Sequence, residues 1–113
     1  MSFVYKPPTE WIAPDVFPTE LLCQAKEIAI DLETRDPHLK ELGPGYIRGD
    51  GEAVGISFAI DGYEKYFPFA HESGFNFSKK KVLEFTRKIC ATESDKVFHN
   101  STYDVGWLTH HGV

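Results

Sequence analysis

Residues 28–34 read IAIDLET, and the fold turns on how this run is taken. Begun at Lys26, as KEIAIDLET, it alternates: Ile28, Ile30 and Leu32 share one side, and Ala29, Asp31 and Glu33 share the other. Side chains alternate with a period of two along a strand, so the pattern predicts a β-strand with one apolar face. Asp31 and Glu33, at i and i+2, leave by the same opposite face. Two carboxylates that close repel each other unless a cation lies between them. Hard divalent ions such as Mg²⁺ take oxygen ligands of this kind, with water and phosphate filling the remaining positions. A D-x-E pair alone is usually a solvated strand face. Here it ends an otherwise apolar run, and ligand sites of α/β sheets gather at the C-terminal ends of strands.

Upstream, residues 1–18 hold four prolines and little periodicity, an irregular lead-in, and PTELLCQA (18–25) has the makings of a short helical turn begun at Thr19. Downstream, RDPHLKELGPGYIRGDGE (35–52) is punctuated by Gly-Pro-Gly and Gly-Asp-Gly and reads as a long polar loop. AVGISFAI (53–60) then sets Val54, Ile56, Phe58 and Ile60 against small residues on the other face. Asp61-Gly62 is a two-residue type I′ hairpin signal, and YEKYFPF (63–69) returns, with Pro68 marking an edge or a strand end. After the AHESGFN loop, Ser78 is placed as an N-cap, with Phe77 and Val82 as a hydrophobic staple. The helix KKKVLEFTRKICA follows, with Val82, Phe85 and Ile89 at helical spacing and Leu83 and Cys90 widening the stripe. Lys79, Lys80 and Lys81 are most simply a solvated face, although cations in a first turn oppose the helix dipole and leave a phosphate-facing role open. DKVFHN gives a strand at 95–99, and STYDVGWLTHH a helix beginning near Asn100 or Ser101, with Gly112 fit to end it.

Composition bounds the functions. The 113 residues, 42% hydrophobic and 14% aromatic, are enough to bury one small core. No apolar run approaches the ~20 residues of a membrane span, and MSFVYKPPTEW lacks the apolar region of a signal peptide. A cytoplasmic protein without a membrane partner is the expectation. Cys23 and Cys90 stand without a CxxC and read as reduced, partly buried thiols. None of the five histidines has zinc-site spacing. A formal net charge of −5 argues against a domain that grips nucleic acid by its own field. Carboxylates that hold divalent cations remain compatible with that charge, because the metals neutralise the site locally.

The second cluster of polar residues is HNSTYD (99–104). Asp104 falls in the first turn of the last helix, where a carboxylate is favoured by the helix dipole alone. A crossover that sets the 95–99 strand beside the 28–34 strand turns it toward Asp31 and Glu33 instead. IDLET followed by HNSTYD resembles the first two exonuclease motifs of the DEDD 3′–5′ exonuclease superfamily. The intervening stretch is similar to the proofreading domain of family A, polymerase I-like DNA polymerases, particularly phage-type ones. The resemblance covers about residues 25–113, with 1–24 as the lead-in. It implies an α/β, RNase H-like fold, incomplete, ordered β-β-β-α-β-α with a mixed sheet.

It also implies roles. Asp31 would bridge two divalent metal ions, Mg²⁺ or Mn²⁺, Glu33 would bind the one that activates water, and Asp104 would hold the second through water. Thr34 would lie near the 3′-terminal nucleotide, Leu32 beside the nucleic acid, and Asn100 would help set the geometry; His99 and Tyr103 match motif positions but serve equally as packing. The implied activity is hydrolysis of the 3′-terminal phosphodiester of single-stranded DNA, releasing a nucleoside monophosphate, alongside a polymerase domain in the same longer chain. The family also needs a fourth carboxylate from a Y-x3-D or H-x4-D motif, and none follows Asp104. The chain therefore reads as a truncated piece, inactive or nearly so by itself. A stand-alone DEDD exonuclease acting on DNA or RNA is the enzymatic alternative, and a non-catalytic RNase H-like binding module the other.

Overall fold

The IAIDLET run lies inside a four-stranded sheet. The structure, a computed structural model, describes residues 17–72 and 74–113. Its strands are β1 (Glu27–Arg35), β2 (Glu52–Ile60), β3 (Tyr63–Pro68) and β4 (Asp95–Phe98), in the spatial order β3-β2-β1-β4. β1 pairs antiparallel with β2 and parallel with β4, so the sheet is mixed and the expected crossover is present. The alternation of β1 holds: Ile28, Ile30 and Leu32 are buried, while Ala29, Asp31 and Glu33 are exposed.

Helices cover the apolar side. α1 (Thr19–Cys23) begins at Thr19 as the sequence suggests and buries Leu22 in the core. Phe17 stacks on Phe85 with ring centroids 4.8 Å apart, so the chain is packed from its first described residues; residues 1–16 of the lead-in lie outside them. Beyond the one-turn α2 (Leu39–Leu42), α3 (Lys79–Cys90) supplies Val82, Leu83, Phe85 and Ile89 to the core. Each such side chain, fully buried, is worth about 1.5–3 kcal/mol. The Ser78 hydroxyl accepts the Lys81 N–H, which is the expected N-cap. Because α3 lies on the apolar face, its three exposed lysines are not beside Asp31 and Glu33. α4 (Ser101–His110) closes as the sequence suggests: Gly112 takes φ +86°, Gly112 N–H donates to Thr109 and Val113 N–H to Leu108, a Schellman ending.

Four expectations change. The 35–52 segment is not a long loop: β1 runs on to Arg35, α2 and a 3-10 turn at Gly45–Ile47 follow, and Glu52 already belongs to β2. Its order comes from distant residues, since the Asp36 carboxylate accepts both the Gly45 N–H (3.0 Å) and the Tyr103 hydroxyl (2.8 Å). The Asp61-Gly62 turn is not type I′, because Gly62 has φ +79° but no described non-glycine residue has positive φ. Ala53 leaves the small-residue face expected of it: Glu33 pairs with Gly55 and Thr34 with Ala53, so Val54 is an extra residue, and this bulge brings Ala53 into the core cluster while Val54 stays buried. Finally, both thiols are free, but Cys23 is exposed rather than partly buried.

Candidate functional site

The C-terminal end of β1, the end of β4 and the start of α4 meet where the bulge bends β2. Asp31 and Glu33 stand exposed on the outer face, opposite Ser57 and Gly55 of β2. Asp104 is different: it is 3% exposed, and its Oδ2 has no hydrogen-bond partner among the described residues. Burial raises its pKa above the ordinary carboxylate value, and the negative charge of Asp31 raises it further. A hydrogen bond from the Asn100 backbone and the nearby His99 oppose that shift without cancelling it. The mutual influence of Asp31 and Asp104 carries across two elements, so the fold brings these two expected residues into one electrostatic neighbourhood.

The remaining expected residues divide. Thr34 is half-buried, and its Oγ1 lies 3.0 Å from the Tyr103 hydroxyl oxygen. Since Tyr103 donates to Asp36, its oxygen is left to accept from Thr34, giving a continuous path Thr34–Tyr103–Asp36–Gly45. Tyr103 therefore ties the two motifs together, and burial raises its pKa. Asn100 and His99 are exposed at the start of α4 and at the end of β4, and Asn100 makes no side-chain cap. Leu32 points into the core at 8% exposure, so its side chain does not reach the face that carries the acids.

Two open clefts flank these residues. One, of about 610 Å³, lies over the outer face between Asp31, Ser57, Glu64 and His99. The other, of about 340 Å³, runs between Leu39, Pro44, Tyr46, Asn100, Thr102 and Tyr103. Tyr46 and Asp36, which the sequence reading passed over as loop residues, line or brace this region. Gly106 was the available signal for Tyr46: a Cβ there would overlap the Tyr46 ring, so the helix is bare where the ring lies against it.

Among the described residues, no group of three or more His, Cys, Asp or Glu is already drawn together as a metal centre. The donor set nonetheless suits a hard cation, being all carboxylate oxygen with one buried oxygen unpaired. Asp31, Glu33 and Asp104 are the residues that would hold it.

The fold is thus that of an α/β protein with acids clustered at the C-terminal end of an inner strand. At the sequence level the chain is 41% identical over 108 residues to a DNA-directed DNA polymerase of Pseudomonas phage M6. That similarity covers 93% of this chain and 16% of the length of the phage polymerase. No family model matches the chain. No helix among the described residues is long and apolar enough to cross a membrane.

Proposed function

We propose that this chain is part of a metal-dependent 3′–5′ exonuclease unit, of the DEDD type, that proofreads for a phage-type DNA polymerase. The observation that carries the reading is Asp104: a buried carboxylate, unpaired at one oxygen, held close enough to Asp31 to feel its charge. Such an arrangement costs stability unless a cation relieves it. The similarity to a phage DNA polymerase supports the context.

Asp31 and Glu33 offer their carboxylates from one strand face, and Asp104 offers its free oxygen from the start of α4. Two divalent ions, when bound, supply activation of water and neutralisation of charge on the phosphate. Thr34, positioned by Tyr103, and the exposed Asn100 line the approach for the 3′-terminal nucleotide of single-stranded DNA. An RNase H-like arrangement of this type uses a fourth carboxylate beyond these three.

Calorimetric titration with Mn²⁺ tests the reading. Binding to the wild-type chain, lost in Asp31→Ala and in Asp104→Asn, is the expected result. Mn²⁺ binding that survives both substitutions overturns the assignment. In a longer polymerase that carries this segment, Asp31→Ala with Glu33→Ala should abolish 3′–5′ degradation of single-stranded DNA.

A further inference from the structure

Tyr66 of β3 lies across the backbone of Gly55 on the outer face of the sheet. A Cβ on Gly55 would overlap the Tyr66 hydroxyl oxygen and ring, so the phenol lies there only because the residue is glycine. Gly55 is also the cross-strand partner of Glu33. Opposed residues in an antiparallel ladder have β-carbons about 4.5–5.5 Å apart. The place beside Glu33 where a side chain on Gly55 would begin is therefore taken by the Tyr66 hydroxyl.

That hydroxyl is held in place. His71 Nε2 lies 2.5 Å from it. His71 in turn donates its backbone N–H to Asn76 Oδ1, and Asn76 Nδ2 donates back to the His71 carbonyl, both at 2.9 Å. One residue earlier, the Ala70 carbonyl accepts from Arg35 at the end of β1 (2.9 Å). Phe69 and Ala70 both donate their N–H groups to the carbonyl of Val54, the extra residue of the bulge. A tyrosine on an edge strand has no need of so many restraints for packing. Here Arg35 of β1, the bulge, His71 and Asn76 together hold one hydroxyl over Gly55, the cross-strand partner of Glu33.

We infer that Tyr66, clamped by His71 over Gly55, is a positioning residue for Glu33: its hydroxyl donates to the Glu33 carboxylate and directs the other carboxylate oxygen toward a divalent cation. The inference rests on the reading of Glu33 as a cation ligand. A phenol has one hydrogen, so donation to Glu33 leaves its oxygen to accept from His71, which fixes the proton on Nε2. The ordinary phenol pKa of about 10 already keeps the proton on the hydroxyl at neutral pH. Hydrogen-bonded partners of metal ligands typically account for about 10–100-fold in metal affinity.

Two measurements on the whole chain decide it. The first is Mn²⁺ titration of wild type, Tyr66→Phe, Glu33→Gln and the double variant. The second follows the Glu33 side-chain carboxyl carbon by NMR in metal-free protein. Tyr66→Phe, which keeps the ring, is expected to weaken Mn²⁺ binding about tenfold without lowering Tm. The double variant should bind no worse than Glu33→Gln, because the two residues act through one contact. Tyr66→Phe and His71→Ala should both displace the Glu33 resonance. An undisturbed Glu33 resonance, or wild-type affinity in Tyr66→Phe, overturns the inference. A wild-type chain that binds no Mn²⁺ sinks the cation reading instead, and the resonance then decides the Tyr66–Glu33 contact by itself.

Discussion

Asp104 is where folding and the proposed chemistry pull in opposite directions. Its carboxylate is 3% exposed and unpaired at Oδ2, so its ionised form weighs against the metal-free fold. The sign follows from the raised pKa. The folded state holds the Asp104 proton more tightly than the unfolded chain, so this contribution to stability grows as pH falls through the folded value and levels off below the ordinary 3.8. Asp104→Asn keeps an acceptor for Asn100 and removes the charge. In metal-free buffer it should melt at a higher temperature than wild type near neutral pH, and the gap should close on acidification; differential scanning calorimetry reads both. A divalent cation should raise the wild-type Tm and leave the variant unmoved. The D-x-E spacing was enough to place Asp31 and Glu33 on one face. Nothing in HNSTYD says that Asp104 is buried with one oxygen free, because that depends on what packs over it.

At the scale of elements, α4 is fastened at its C-terminal end and near its middle, and each fastening makes a prediction. At its C-terminal end, His111 Nε2 accepts the N–H of Ala53 beside the bulge, at 3.1 Å. Burial, with the charges of Lys79 and His110, lowers the His111 pKa to about 4 from the usual 6.5. The unfolded chain therefore binds the proton first, and the stability held by neutral His111 is lost as pH falls from 6.5 toward about 4. His111→Gln should flatten that part of the profile of Tm against pH. Near the middle, Gly106 receives the Tyr46 ring. Replacing a helical glycine with alanine ordinarily gains about 1 kcal/mol. Here overpacking against Tyr46 should cost about 1–3 kcal/mol, so Gly106→Ala is expected to lower the urea midpoint and speed amide exchange across 36–51. The strands and both long helices were legible because periodicity, caps and turn residues are local signals. The 35–52 segment was misread because its Gly and Pro content is equally local, whereas its order comes from Asp36 and Tyr46 meeting α4.

For the molecule as a whole, a net charge of −5 sets the expected behaviour toward nucleic acid. Without divalent ions the chain should retain single-stranded DNA weakly, and added Mg²⁺ should strengthen retention; fluorescence anisotropy with a labelled oligonucleotide measures both. Tight binding in chelator that weakens steeply with salt would contradict a site built on carboxylates. The amino-acid sequence determined by itself that β1 has one apolar face and one acidic face, that a hairpin, a helix, a strand and a helix follow, and that the acids lie in two separated motifs. Those properties are encoded between residues a few positions apart. Only the tertiary structure decided that β4 lies beside β1, that a bulge brings Ala53 into the core while Val54 stays buried, and that Tyr66 rests on Gly55 beside Glu33. Each of these is a contact between residues distant in the chain, and no local pattern of propensity records which distant partner fills a given space.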